Sequence, residues 1–258
     1  MSDALSLSVV IITYNESRNI AACIESVLGL ADEILVVDSF STDNTVSIAE
    51  GLGARVLQHE FKGHIEQKNW AKDQASHTFV LSLDADECLS LELKDSILIE
   101  KQMGFHHSGY YMNRLNFIGD KPIKGCGWYP DRKLRLWNRE LGSWSGINPH
   151  DRFKLRSGFP RMRLDGDLYH YSYANHRELF QKSLHYGKIG AKYTRTLSIV
   201  QLLGKLLISP LFKFIRNYFF KGGISYGRTG LLICYCQLIE SYIKYSRGIV
   251  LKLTRSKG

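Results

Sequence analysis

The chain has 258 residues, 44% of them hydrophobic, so it can bury a full core and intrinsic disorder is excluded. Its five cysteines are scattered and odd in number, with no CxxC pair, which argues against a disulfide framework and a structural zinc site. The net charge of +9 excludes a uniform nucleic-acid-binding surface because it is unevenly spread, with 14 basic residues and one acid from Lys182 onward but 20 basic and 24 acidic residues before it.

The first half of the chain predicts alternating strands and helices. Four short runs of aliphatic and β-branched residues have the composition of strands that are buried on both faces. These runs are Leu7–Thr13, Glu33–Asp38, Ala54–Gln58 and Thr78–Leu83. Helical patterns separate them at residues 20–28, 46–52 and 66–75. This order predicts an α/β fold whose first strands are parallel and joined by right-handed crossovers.

Polar residues follow three of the predicted strands. They are Tyr14-Asn15-Glu16, Asp38-Ser39 and Asp84 to Glu87. Since ligands of parallel sheets bind at the carboxyl ends of the strands, we expect these groups to converge on one crevice. Asp84 and Asp86, two residues apart, can present oxygens to one hard cation that also binds phosphate, which implies Mg²⁺ or Mn²⁺. An isolated DxD is more often a solvated acidic turn, so this interpretation depends on the surrounding motifs.

The second half has a different composition. From Gly109 to Arg163 it is rich in aromatic, Gly and Arg residues, with strand-like pieces at residues 109–115 and 133–137. Helical spacing resumes near Arg177. The N-terminus has no basic leader with an apolar stretch, and no window reaches the roughly 18 apolar residues of a spanning helix. We therefore expect the protein to stay on the cytoplasmic side of a membrane.

The segment from Ile199 to Lys221 predicts an amphipathic helix. Polar residues recur there at four-residue steps and form one slanted stripe on an otherwise apolar helix. The stripe comprises Gln201, Lys205, Ser209, Lys213 and Asn217. Pro210 is expected to kink or divide the helix, and Leu231–Ile239 can pair with it as a hairpin. A wide apolar face edged by Lys and Arg is typical of a helix lying on an anionic membrane, and packing of this face on the rest of the protein is the alternative.

Four segments of the first half, in this order and spacing, resemble the donor half of family 2 glycosyltransferases of the GT-A fold. They are SVVIITYNE (8–16), ILVVDSFSTDNT (34–45), IEQKNWAKDQA (65–75) and LSLDADE (81–87). Three later segments are similar to the bacterial branch that builds lipopolysaccharide core, including its β-1,4-glucosyltransferases. They are GWYPDRKLRLWNRE (127–140), NPHDRF (148–153) and LYHYSY (168–173).

The resemblance covers about residues 6–195 and implies a GT-A α/β fold, a Rossmann-like mixed sheet flanked by helices, followed by C-terminal amphipathic helices. It implies a catalytic domain at 1–195, with a donor half to about residue 105 and an acceptor half after it. Residues 196–258 would form a membrane-associating helical segment.

The resemblance also implies a donor site. The nucleotide would be held by residues at the ends of the first two strands, namely Thr13, Tyr14, Asn15, Glu16 and Asp38. The Asp38 carboxylate would accept the uracil N3 hydrogen and favour a UDP-sugar, with a turn or cap residue as the alternative. Lys68 and Asn69 would face the diphosphate, although Lys68 can also be an exposed helix charge. Asp84 would face the ribose or a metal-bound water, and Asp86 would ligate the metal, with Asp84 and His170 as further candidate ligands.

The chemistry requires a carboxylate that takes the proton of the acceptor hydroxyl opposite the departing diphosphate. The resemblance assigns this role to Asp151, where the family more often has Glu. A salt bridge to Arg152 or Arg156 is the alternative, and Asp165 and Asp167 are the next candidate bases. An acceptor sugar ring can lie on an aromatic face, and its phosphates can bind guanidinium groups. The residues of these types here are Trp128, Tyr129, Arg132 and Arg135.

Together these expectations predict an inverting glycosyltransferase that moves a hexose onto lipopolysaccharide core or a related glycolipid. The first candidate donor is UDP-glucose. It would associate peripherally with the inner face of the cytoplasmic membrane, and no nucleic-acid partner is expected. The alternatives are an acceptor on another polysaccharide or lipid carrier, and a non-catalytic nucleotide-fold module that binds membranes. A sugar nucleotidyltransferase is disfavoured because Tyr14-Asn15-Glu16 stands where its Gly-rich loop would be.

Overall fold

The computed structural model describes residues 5–148 and 150–255. Three parts of the chain lie outside the described residues, namely residues 1–4, Pro149 of the NPHDRF segment and residues 256–258. The chain forms two compact units. The first contains the residues up to Leu115 together with Asp131–Tyr171, and the second contains Asn116–Pro130 and the residues from Ser172 onward.

Four parallel strands open the first unit, and all four were predicted from their apolar runs. They are β1 (Leu7–Thr13), β2 (Glu33–Asp38), β3 (Arg55–Gln58) and β4 (Phe79–Asp84). β1 pairs in parallel with β2 and with β4, and β2 pairs in parallel with β3. The carboxyl ends of β1, β2 and β4 therefore lie at one edge, as the polar residues after them predicted.

Helices connect these strands and cover the sheet. They are α1 (Ile20–Val27), α2 (Thr45–Gly51), α3 (His64–Asp73) and α4 (Leu91–Gln102). The apolar positions of α1 that predicted the helix are fully buried. Ser90 caps α4, since its side chain accepts a hydrogen bond from the Leu93 amide.

Antiparallel strands complete the sheet and make it mixed. They are β5 (Glu87–Leu89), β6 (Gly109–Ile118), β7 (Lys121–Pro122), β8 (Asp131–Asn138) and β11 (Arg161–Tyr173). In the described residues the strand order is β3-β2-β1-β4-β8-β6-β11-β5, and β7 pairs with the end of β6. The predicted α/β fold with a mixed sheet is confirmed. β11 was not predicted, because its polar and apolar residues do not form a clear pattern.

The first unit also contains a separate hairpin. It is formed by β9 (Gly142–Ile147) and β10 (His150–Leu155), which pair antiparallel. The ring of Trp137 stacks on Phe153 with 3.8 Å between centroids, and Trp144 meets Trp137 edge-on at 6.2 Å. Both tryptophans are buried. These rings fix the hairpin against β8 and so place the residues that it carries.

The second unit is mainly helical. Its helices are α5 (His176–Ala191), α6 (Ile199–Ile215) and α7 (Gly227–Arg255), with a π-helical turn at Arg216–Phe220. α7 packs against both α5 and α6, and a Cβ at Gly187 would approach Ile243 to 2.9 Å, so this glycine permits the close contact. Pro210 does not divide α6. Among the described residues, no helix has the length and hydropathy that crossing a bilayer requires.

Candidate active site

The loops that follow β1 and β2 are tied to each other by hydrogen bonds. Asn15 has a positive φ of 53°, a conformation that Asn tolerates better than most residues. Its amide donates to Ser41 Oγ, and its Oδ1 accepts from the Thr42 amide, both at 2.8 Å. The Glu16 amide donates to Thr45 Oγ1 at 2.8 Å. The two loops therefore form one braced rim at the carboxyl edge of the sheet.

Asp38 supports this rim from inside. It is fully buried and accepts hydrogen bonds from the Ser41 amide at 2.9 Å and from the Ser41 hydroxyl, with Gln58 Nε2 at 3.5 Å. Asp38 therefore fixes a turn. Both of its carboxylate oxygens accept hydrogen bonds from Ser41, whereas the sequence had assigned this carboxylate to the uracil of the donor. Thr13 is buried, and Tyr14 exposes its ring at the same edge.

Charged side chains from five elements meet beside the rim. Lys68 of α3 lies with its Nζ 3.0 Å from Asp84 at the end of β4 and 2.9 Å from Asp151 on β10. Arg135 of β8 lies 2.9 Å from Asp84 and 2.6 Å from Glu87. Both cationic side chains are only 4% exposed. Lys68 is therefore not the exposed helix charge that the sequence left open, and the cluster of these five residues is called the charged cluster below.

The charged cluster favours the charged forms of Asp84 and Arg135. Burial disfavours the charged form of Asp84, but Lys68 and Arg135 outweigh it and hold the pKa of this carboxyl well below its ordinary value. Burial likewise opposes the charge of Arg135, whereas Glu87 and Asp84 raise its pKa above the ordinary value. A buried charge is costly unless it is paired, so removal of any one member leaves the others destabilised.

The hairpin brings Asp151 to the cluster. Asp151 pairs with Gly146 in the β9–β10 ladder. At the hairpin tip, Asn148 accepts from the Ile65 amide at 2.9 Å and donates to Glu66 at 2.8 Å, so the tip is bound to the start of α3. Asp151 thereby pairs with Lys68, whereas the sequence had offered a neighbouring arginine as its alternative partner.

The other candidate bases lie elsewhere in the structure. Asp165 is exposed, with its side chain 3.8 Å from Arg163. The main-chain amide of Asp167 donates to the Ser90 hydroxyl at 3.1 Å, next to the start of α4. Of these three carboxylates, Asp151 is the one that lies beside Lys68 and Asp84.

Asn69 has a different environment from the one predicted. Its Nδ2 donates to the Trp144 carbonyl and its Oδ1 accepts from the Trp144 amide, both at 2.9 Å. The side-chain amide of Asn69 therefore pairs with the main chain of β9, in the way that a neighbouring strand would. Asn69 holds the hairpin that carries Asp151, which corrects its predicted role in donor binding.

Asp86 and His170 come together, as the prediction of a shared metal site requires. Asp86 lies in the turn between β4 and β5, and His170 of β11 is the register partner of Glu87. The Tyr171 amide donates to the Asp86 carbonyl at 2.9 Å. This pairing places His170 Nε2 3.3 Å from the Asp86 carboxylate. In the described parts of the chain, no group of three or more His, Cys, Asp or Glu residues forms a potential metal site.

Arg135 also departs from its predicted role. Acceptor recognition requires an accessible guanidinium, whereas this one is buried and paired with Asp84 and Glu87. Arg132 on the same strand is exposed. In the second unit, Trp128 stacks on Tyr173 with 5.7 Å between centroids, and Tyr129 is half-buried.

The central carboxylate of the cluster is Glu87, which the sequence placed at the strand ends within Asp84 to Glu87 but did not assign to the site. Glu87 is fully buried and accepts from the Asp84 amide at 3.0 Å and from Arg135, with Arg114 Nη1 at 3.4 Å. Arg114 in turn pairs with Asp131 at 2.8 Å. The third acid of the DADE segment was the available signal for Glu87, whereas Arg114 and Asp131 had none.

Comparison with known proteins gives the class to which this chain belongs. The family model described as glycosyl transferase family 2 matches residues 8–161. The chain therefore belongs to glycosyl transferase family 2, and the predicted family and enzyme class are confirmed.

Relatives and a solved structure agree with this assignment. The chain is similar to an uncharacterized glycosyltransferase of Rickettsia conorii, with 35% identity over 84% of this chain and 82% of the relative. It is 27% identical to the lipopolysaccharide core biosynthesis glycosyltransferase LpsC of Rhizobium meliloti, over 90% of this chain and 87% of LpsC. The mannosyltransferase PcManGT of Pyrobaculum calidifontis, solved with GDP-Man and Mn²⁺, matches at a TM-score of 0.51 and 15% identity, covering 100% of this chain and 89% of that one. The predicted GT-A fold is confirmed.

Proposed function

We propose that this glycosyltransferase is an inverting enzyme that depends on a divalent cation and moves a hexose onto lipopolysaccharide core or a related glycolipid. UDP-glucose is the proposed donor. The observation that carries the proposal is the contact of Lys68 with both Asp84 and Asp151, which joins the donor edge of the sheet to a candidate base. The similarity to LpsC, named for lipopolysaccharide core biosynthesis, supports the acceptor class.

The braced rim is the proposed nucleotide site. Tyr14 offers an exposed ring, and Asn15 and Glu16 present their loop at the carboxyl edge of β1. Thr13 carries a buried hydroxyl there. Asp38 acts through Ser41, whose turn it fixes, so its effect on the nucleotide is one of positioning.

Asp86 and His170 fit a divalent cation. A carboxylate oxygen and an imidazole nitrogen, 3.3 Å apart and partly exposed, are suitable donors for Mg²⁺ or Mn²⁺. Asp86 and His170 would be its protein ligands, and the ion would also bind the diphosphate of the donor. The ion would supply positive charge to the departing diphosphate. Asp84 is held by Lys68 and Arg135, so we propose that it orients this edge and is not the main ligand.

Asp151 is the proposed base. The acceptor hydroxyl oxygen bonds to the anomeric carbon while the bond from that carbon to the diphosphate breaks, and the diphosphate leaves with the bonding electrons. The hydroxyl proton passes to the Asp151 carboxylate. Because Lys68 contacts both Asp84 and Asp151, an arriving diphosphate competes for this ammonium and weakens its hold on the base. Attack opposite the leaving group inverts the anomeric configuration.

Acceptor recognition and membrane attachment complete the proposal. We assign the sugar acceptor to Trp128, Tyr129 and Arg132. We keep residues 1–195 as the catalytic part and assign residues 196–258 to peripheral attachment at the inner face of the cytoplasmic membrane. Large apolar side chains of α6 support this assignment because they are exposed in series. They are Ile199, Val200, Leu203, Leu207, Ile208, Leu211, Phe212 and Ile215.

A donor screen tests the function. Purified protein is incubated with UDP- and GDP-sugars, with Mn²⁺ or with chelator, and release of nucleoside diphosphate is measured. We expect release from UDP-glucose that chelator abolishes. Asp86→Asn should reduce it at least about 100-fold, since charge stabilisation of the leaving group is lost. Asp43 lies in the rim, where it accepts from the Ser17 and Thr45 amides, and Asp43→Asn should keep the dependence on Mn²⁺. Full activity of Asp86→Asn in chelator would refute the metal site, and an α-linked product from an α-linked donor would refute inversion.

A further inference from the structure

A cavity with a volume of about 320 Å³ opens between α6 and α7. Its polar lining comes from both helices and consists of Ser209, Lys213, Arg216, Glu240, Ser241 and Lys244. We call it the hairpin pocket. Its volume lies at the lower end of the range of about 300–1,000 Å³ that small-ligand sites occupy.

The lining of the hairpin pocket carries an excess of positive charge. Three cations, Lys213, Arg216 and Lys244, line it with a single acid, Glu240. In the described part of the chain, Lys213 has no hydrogen-bond or ion-pair partner. Burial lowers the pKa of Lys213, against the opposing influence of Glu240. A partly buried ammonium without a partner is unfavourable, and an anion in the pocket would relieve that cost.

A chain of buried amides holds Arg216 at the pocket. Arg216 Nε donates to Asn217 Oδ1 at 3.1 Å. Asn217 Nδ2 donates to Gln237 Oε1 at 2.6 Å, and Gln237 Nε2 donates to the Cys126 carbonyl at 3.1 Å. Asn217 and Gln237 are both buried. Arg216 is exposed, and this chain of hydrogen bonds orients its guanidinium through Nε.

The pocket opens beside an apolar surface. Ile208 and Phe212 line it and are exposed, and Leu207 and Leu211 expose their side chains on the same helix. The predicted polar stripe thus turns inward at Ser209, Lys213 and Asn217, while the apolar residues face outward. A ligand that matches both features has an anionic head and a hydrocarbon body.

We propose that the hairpin pocket binds the phosphate of an anionic membrane phospholipid, whose acyl chains lie against the exposed apolar side chains of α6. Phosphate matches the cations by charge, and the guanidinium of Arg216 suits its geometry. The inference rests on the proposed membrane attachment and deepens it, because it gives the attachment a preference for phospholipids with an anionic headgroup.

Vesicle sedimentation of the full chain tests the proposal. Phosphatidylcholine vesicles, with and without phosphatidylglycerol, are compared at low and high salt. The test variant is Lys213→Met, and the control is Lys205→Met, which removes the same charge from an exposed position on the same helix outside the pocket. We expect Lys213→Met to weaken binding to phosphatidylglycerol vesicles at least about tenfold at both salt concentrations, because a partly buried contact is poorly screened. Lys205→Met should weaken it about fivefold at low salt and little at high salt.

The outcomes separate the possible errors. If the wild-type protein binds no vesicle, the proposed membrane attachment fails. If it binds but the two variants behave alike at both salt concentrations, only the hairpin pocket proposal is overturned. Binding of inorganic phosphate to the free wild-type protein, together with equal binding of wild type and Lys213→Met to phosphatidylglycerol vesicles, would show that the pocket takes free phosphate and would overturn the lipid assignment. Unchanged melting curves and donor hydrolysis confirm that both variants are folded.

Discussion

At the scale of single residues, Lys68 connects the two carboxylates on which the proposed chemistry depends. It is buried and lies about equally far from Asp84 and Asp151. Asp84 has a second cation in Arg135, whereas Asp151 is paired with Lys68. The base is therefore the carboxylate whose environment changes most when a diphosphate approaches Lys68.

Replacement of Asp151 by Asn tests its role as the base. We expect kcat to fall about 100- to 10,000-fold, the usual contribution of general-base catalysis, with the donor KM changed less than about threefold. The reason is that Asn cannot take the acceptor proton but keeps the shape of the side chain. Steady-state transfer to a soluble acceptor measures both constants. Asp165→Asn, at an exposed position, is the control and should keep full turnover.

The sequence predicted part of this site because some of its residues follow strands directly. Asp84 and Asp86 could be placed from the end of β4 alone. The partners of Asn69 and Arg135 could not, since Asn69 of α3 contacts β9, and Arg135 of β8 contacts the end of β4 and the start of β5. Contacts between segments about 70 residues apart have no local pattern in the sequence, so a polar residue there can be assigned to a ligand when it in fact holds the fold.

At the scale of elements, Glu33 joins the start of β2 to its neighbours. Its carboxylate accepts from the Ser8 hydroxyl at 2.5 Å, from the Ser76 amide at 2.7 Å and from Arg55 at 2.7 Å. Burial opposes its charge, but these hydrogen bonds lower its pKa from 4.5 to about 2. A carboxyl whose pKa is lower in the folded state stabilises the fold above pH 4.5. That stability is lost as the pH falls toward 2.

Glu33→Gln should therefore lower the free energy of unfolding by about 1–3 kcal/mol at pH 7, as expected for hydrogen bonds to a charged group. The difference from wild type should shrink as the pH falls from about 4.5 to 2, because the wild-type carboxyl becomes protonated. Urea unfolding at several pH values measures this. Glu60→Gln is the matched control, since Glu60 is exposed and its ion pair with the exposed Lys62 is long, at 3.7 Å. A constant difference across this pH range would contradict the assignment.

Strands buried on both faces could be predicted, and strands of mixed polarity could not. β1, β2 and β4 are continuous apolar runs, and their positions agree with the sequence to within a residue. β9, β10 and β11 contain glycine, charged and aromatic residues without regular alternation, and their pairing decides their structure. The continuity of α6 through Pro210 has a similar cause, since its packing on α7 outweighs the local preference.

At the scale of the whole molecule, basic charge and exposed apolar surface occur in the same part of the chain. The residues from Lys182 onward carry 14 Lys and Arg against one acid, and α6 exposes a series of large apolar side chains. Exposed apolar patches of this kind mark interaction surfaces in proteins. An anionic membrane matches both properties at once, whereas packing within this chain does not cover these side chains in the described residues.

The last prediction separates the two contributions to membrane binding. Leu207→Ser with Leu211→Ser should weaken binding to anionic vesicles more than about tenfold at high salt, because burial of each leucine in the membrane is worth about 1.5–3 kcal/mol and is not screened. Transfer to a soluble acceptor should be unchanged, since these side chains are remote in function from the reacting atoms, whereas transfer to a lipid-embedded acceptor should fall. Leu91→Ser on α4, 81% exposed against 73% for Leu207, is the control and should bind as wild type. If the intact protein remains in the supernatant with anionic vesicles, the apolar face of α6 binds a protein surface instead, and light scattering would then show a larger species that the double variant abolishes.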